Sequence, residues 1–147
     1  MKRFKFRFDK ILDYRRHLEK QRQRELAVTQ TLEKEQRQNL DDIVSKRDRF
    51  QSEERKYLVG NVQPGKLVGY SRYFLLLKHM ELTGRELLGE ILKEVEKRRS
   101  ELVEATKRKR IYEKLEDRHK RRYALESNRL MQKETDDIGQ KIYWHNK

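Results

Sequence analysis

The stretch Gly60-Asn-Val-Gln-Pro-Gly65-Lys66 has the spacing of a phosphate-binding loop up to its last position. In such a loop backbone N–H groups cradle phosphates, and a final Ser or Thr holds magnesium. Here that position is Leu67, which offers no ligand, and no strand-like segment precedes Gly60. A connection that needs Gly and Pro to turn accounts for the same residues. The histidines are His17, His79, His119 and His145, and none has a second His four residues away, the spacing of helical zinc sites. Ser45, Ser52, Ser71, Ser100 and Ser127 lie in polar surroundings with no base nearby, and the chain has no Cys. No catalytic set, no metal site and no cofactor site is expected, so the chain reads as a non-enzyme.

The remaining chemistry is charge. Residues 1–24 carry ten Lys or Arg against three Asp or Glu, and residues 107–122 carry nine against three. These two blocks account for the whole formal charge of +13, and the other residues balance. The segment Lys2-Arg-Phe-Lys-Phe-Arg-Phe8 alternates cation and ring, which suits an extended arm with Phe4, Phe6 and Phe8 on one face. Such rings could stack on bases. The simpler expectation is that they cover the end of a helical core beside Tyr123 and Leu130.

What positions these blocks follows from composition. Charged residues make up 43% and hydrophobic ones 34%, too few for a compact globule of 147 residues. Glu, Lys, Arg and Leu in such amounts point to long helices, with disorder as the alternative. Periodicity decides for helices. The only Pro, Pro64, and three of six Gly residues lie close together, at Gly60, Gly65 and Gly69. The expected plan is one all-α domain over residues 1–147: a helix over about 9–59, a loop over 60–69 and a helix over about 70–141. Tyr70, Leu77, Gly84, Ile91, Arg98, Ala105 and Tyr112 recur every seven residues, as do Phe74, Glu81, Leu88, Val95, Leu102, Lys109, Glu116 and Tyr123. That is a coiled-coil seam. It weakens beyond Tyr123, where Glu126, Lys133 and Asp137 fall on it. In the first arm Ile11, Leu18, Leu32, Leu40, Ile43, Phe50 and Tyr57 suggest a seam, but the step from Leu32 to Leu40 breaks the heptad and implies a change of register near Gln36.

Two long helices with one short connection favour an antiparallel coiled-coil hairpin whose second helix is the longer. Positions paired across it should sum to roughly 129, placing Phe50 near residue 79 and both basic blocks side by side. A basic end of this kind should be steered to an acidic surface or pore. The longest apolar run, Tyr73–Leu77, is too short to span a bilayer, which takes about 20 residues. The N-terminus lacks the apolar core of a secretion signal, and a cytoplasmic protein is expected.

Two further stretches carry a resemblance. Phe4-Lys-Phe-Arg-Phe8 with Ile11-Leu12-Asp13-Tyr14-Arg15 resembles the start of flagellar export proteins of the FliJ family. Tyr112-Glu-Lys-Leu115, Asp117-Arg118, Tyr123, Glu126, Asn128-Arg129 and Gln132-Lys-Glu-Thr-Asp136-Asp-Ile138 resemble that family's C-terminal signature. The resemblance implies an antiparallel coiled coil similar to the central stalk of rotary ATPases, acting as a non-catalytic stalk and escort factor in flagellar type III export. Its implied partners are the hexameric export ATPase, the membrane-embedded export gate and export chaperones, with peripheral location at the inner membrane through them. The end bearing both termini would enter the ATPase ring through Arg7, Lys10, Arg15, Arg16, Arg108, Arg110, Arg118, Arg121 and Arg122. The start of the second helix, at Tyr73, Leu77 and Met80, would meet the gate. The alternative is a nucleic-acid-binding coil using the same cations, whose affinity would fall steeply with salt. A neutral body and no recognised nucleic-acid module count against it.

Overall fold

The computed structural model describes residues 3–60 and 62–146. Lys2, the first residue of the alternating arm, and Asn61 of the loop lie outside them. The chain forms two helices, α1 (Asp9–Tyr57, 49 residues) and α2 (Pro64–His145, 82 residues), which pack as an antiparallel coiled-coil hairpin with the second helix longer.

Helix α1 starts where the arm turns at Phe8. The Phe8 carbonyl accepts the N–H of Leu12 at 2.9 Å, and Asp9 in the first turn suits the positive end of the helix dipole. Arg55 and Lys56 suit its other end. Helix α2 begins at Pro64, earlier than the expected residue 70, and runs to His145 beyond the expected 141. Proline breaks helix interiors but fits a first turn, where its missing N–H would have no helical partner. The Gln63 carbonyl then accepts the N–H groups of Lys66 and Leu67 at 3.1 and 3.2 Å. Gly65 and Gly69 therefore lie inside the helix, at about 1 kcal/mol each relative to Ala.

The early start moves the register. Phe50 packs on Tyr70 and Tyr73, with ring centroids 5.1 and 4.7 Å away, and not on residue 79. A loop centred nearer residue 60 shortens every pairing beside it.

The fifteen expected seam positions of α2, from Tyr70 to Tyr123, are all buried or half-buried. The seam of α1 differs from expectation. Positions 12, 19, 26, 33, 40, 47 and 54, with 15, 22, 29, 36, 43, 50 and 57, are buried or half-buried throughout. This heptad is unbroken, so there is no change of register at Gln36. Leu32 stands outside the seam and is 49% exposed, and Ile11 gives way to Leu12, which is fully buried. The polar seam residues are held by specific partners. Arg22 reaches Glu25 at 2.9 Å and Glu101 at 3.4 Å, and Arg98 joins the same carboxylates at 3.2 and 3.3 Å. The Thr29 hydroxyl donates to the Glu25 carbonyl at 2.8 Å. The Gln36 amide donates to the Gly84 carbonyl at 3.1 Å.

Contacts gather into two units. One comprises residues 1–21 and 103–147, the other residues 22–102. In the second, Leu40, Leu77 and Val95 are buried apolar residues, and Glu81, 5% exposed, is buried as well, with ion pairs to Arg47 and to Arg85 at 2.6 Å. Hydrogen bonding to Asp48, then pairing with Glu81, raises the Arg47 pKa against the opposite pull of desolvation, so the cation persists.

Gly84 faces Gln36 and Leu40. A Cβ added there would meet Gln36 Nε2 and Leu40 Cδ1 at 3.4 Å, an ordinary contact. Gly84→Ala should therefore stabilise the hairpin by about 0.5–1 kcal/mol, through helix propensity and a stiffer unfolded chain. Gly84→Leu should destabilise it by about 1–3 kcal/mol by forcing α1 outward. Thermal unfolding followed by circular dichroism separates the two.

Candidate partner-binding surfaces

In the unit of residues 1–21 and 103–147, the arm lies along α2. Phe4 packs on Tyr123 with centroids 5.5 Å apart, Phe6 on His119 at 5.7 Å and Phe8 on Tyr112 at 6.3 Å. Phe6 is buried. The rings thus cover the helix pair as the simpler expectation had it, except that Leu130 stays exposed. His119 and Tyr112 are the parts of this contact that local sequence does not mark as ring partners. Each such tilted or edge-on ring pair contributes about 0.5–1.5 kcal/mol beyond its buried area.

This packing joins most of the first basic block, up to residue 21, with all of the second in one unit. The Lys109 ammonium meets Glu19 at 3.0 Å, a pair in which both side chains are mostly buried. Of the other cations named for this end, Arg15 is half-buried on the α1 seam and the rest are exposed. Arg7 and Arg15 lie over the rings of Phe8 and Tyr14, at 5.8 and 5.7 Å. Arg16 pairs with Asp13 at 3.6 Å and Arg108 with Glu104 at 3.1 Å. Lys10, Arg110, Arg118, Arg121 and Arg122 are exposed and make no ion pair among the described residues. With Arg3, Lys5, Lys20, Lys107 and Lys114, which are likewise exposed and without an ion pair among the described residues, they form the part of the basic surface whose charge is not locally answered. Charges within about 8 Å act together at ordinary ionic strength.

The unit of residues 22–102 carries a surface of another kind. Tyr73 and Met80 are exposed, but Leu77 is 2% exposed and belongs to the core between them. It lies on the seam, where α1 covers it, so its side chain is not presented to a partner. The outward stripe runs instead through Tyr73, Leu76, Met80 and Leu87, which are exposed and share one helix face at steps of three, four and seven residues. Leu76 and Leu87 are its members missed from sequence. The separation of seam from flank was readable from the heptad itself. Tyr73 is anchored edge-on against Phe50. Beside it an open groove of about 400 Å³ is lined by Phe50, Tyr57, Lys66, Gly69, Tyr70 and Tyr73.

Among the described residues no cluster of three His, Cys, Asp or Glu is placed to hold a metal, and no helix is long and apolar enough to cross a membrane. The family model described as "Flagellar FliJ protein" matches residues 4–147. No curated protein and no solved structure matches the chain.

Proposed function

The chain belongs to the flagellar FliJ protein family, a non-catalytic coiled-coil component of flagellar type III export, and from this we propose how its surfaces are used. The unit bearing both terminal segments binds the hexameric export ATPase as a central stalk. Arg110, Arg118, Arg121, Arg122 and Lys10 make the contact, with Arg7, Arg15, Arg16 and Arg108 around them. The observation that carries this reading is the gathering of residues 1–21 and the whole second basic block in one unit, with these five cations among those left unanswered by the described residues. A stalk inside a ring needs a stiff body and a surface that is attracted without being locked. Unpaired cations on a helix pair supply both, since they steer encounter and are screened by salt. Export chaperones and peripheral association with the inner membrane through partners belong to the same proposal.

The stripe at Tyr73, Leu76, Met80 and Leu87 meets the export gate. Aromatic and Met side chains at a helix face are the usual anchors of such contacts. Tyr73→Ala with Met80→Ala should weaken binding of the soluble part of the gate by about 2–4 kcal/mol, a thirtyfold or greater loss. Leu77→Ala should lower the melting temperature before it affects gate affinity. Pull-down with the gate component, alongside unfolding curves, reads both.

The test of the ATPase contact is a pull-down of the full chain by the export ATPase at physiological salt, with and without charge reversal at Arg118, Arg121 and Arg122. Undiminished capture of the reversed variant would remove the assignment.

A further inference from the structure

After Tyr123 helix α2 continues to His145 with almost every residue exposed; only Ser127 is half-buried. This stretch has its own apolar stripe. Ala124, Met131, Ile138 and Ile142, with the polar Asn128 and Thr135 between them, recur at four- and three-residue spacing. Met131, Ile138 and Ile142 are 56%, 58% and 55% exposed.

The stripe is not a continuation of the hairpin seam. The seam register passes through 123, 130 and 137, whereas this one passes through 124, 131 and 138. A one-residue step turns the helix face by about 100°. The stripe therefore faces away from the line along which α1 packs. Thr135, at its centre, already satisfies its hydroxyl by donating to the Met131 carbonyl at 2.8 Å, so it can enter an apolar contact through its methyl group. The stretch is helical before any partner arrives, so binding carries no nucleation cost.

We propose that this stripe is a self-association surface, occupied by the same stripe of a second copy in antiparallel, two-fold orientation. Charge selects that occupant and that direction. With Met131 opposite Ile142 of the second copy, Thr135 falls opposite Ile138. The flanking residues that then face each other are Glu134 and Lys141, in two symmetric pairs. Both are exposed, and neither is ion-paired among the described residues. A parallel arrangement would put Glu134 beside Gly139 instead, and would set the two basic segments of residues 107–122 side by side, where like charges repel. The antiparallel arrangement sends them in opposite directions. Fewer than three heptads make a weak, exchangeable dimer with a dissociation constant on the order of 10 µM. The ATPase assignment does not bear on this proposal, since it uses other residues.

The test is sedimentation equilibrium of the full chain at about 5–200 µM and near-physiological salt. Wild type should move from monomer to dimer across this range. Glu134→Lys and Lys141→Glu should each raise the dissociation constant at least about tenfold, by setting like charges opposite each other twice. The double variant E134K/K141E should return to within about threefold of wild type. Ile138→Asp should be monomeric throughout. All three positions are exposed, and unchanged helix content by circular dichroism certifies each variant. A monomeric wild type at the highest concentration would overturn the proposal and leave the stripe to a different protein. So would single reversals without effect, as a parallel dimer gives, or a double variant that fails to recover.

Discussion

Glu81→Lys should lower the stability of the hairpin by about 3 kcal/mol and its melting temperature by roughly 10 °C. The Glu81 side chain is nearly covered and answers two cations, Arg47 and Arg85. Reversal leaves Arg47 on the seam beside a new ammonium at a nearly covered position. Removing one partner of a buried pair costs about 3–5 kcal/mol. The lower value applies because Arg47 is a quarter exposed and Arg85 mostly so, and both can turn to water. Replacing Glu81 and Arg47 together by Leu should restore or raise stability, since both desolvation costs vanish. Glu90→Lys is the control. Its pair with Lys93 at 3.4 Å is exposed on both sides, and its loss should change stability by less than about 1 kcal/mol. Thermal and urea unfolding of the four chains measures these differences.

Charge reversal at Arg118, Arg121 and Arg122 should leave folding intact and weaken ATPase binding by about 3 kcal/mol, roughly a hundredfold. The three guanidiniums are exposed and carry no ion pair that reversal would break. The melting temperature should therefore stay within about 2 °C of wild type, as for other exposed substitutions. Binding should fall mainly through slower association, because surface charges act on encounter. Raising salt should narrow the gap between wild type and variant. Stopped-flow association with the ATPase at two ionic strengths reads rate and screening together.

The second helix was legible in the sequence because its seam is mostly apolar: Leu77, Leu88, Ile91, Val95 and Leu102 mark the face unaided. The first helix hides its face. Arg15, Glu19, Arg22, Thr29, Gln36 and Arg47 sit on its seam, while Val28 and Leu32 stand outside. The groups that make those polar positions acceptable come mostly from α2. Glu101 lies 79 residues beyond Arg22, and Gly84 lies 48 beyond Gln36. No local pattern displays them, so an apolar count infers a break where the heptad is intact. Pro64 misled in another way, as a breaker by type that here opens a helix by position. The basic blocks were legible as charge, and the motifs at both ends as family. Which cations remain unanswered was not, because it depends on where Glu104, Asp13 and Glu19 fall.

The central claim is that the basic unit is a stalk for a ring, and stoichiometry tests it most directly. Native mass spectrometry of the export ATPase assembled with the full chain at near-physiological salt should show one chain per hexamer, lost when Arg118, Arg121 and Arg122 are reversed. Six chains per ring, or a single chain retained by the reversed variant, would contradict it.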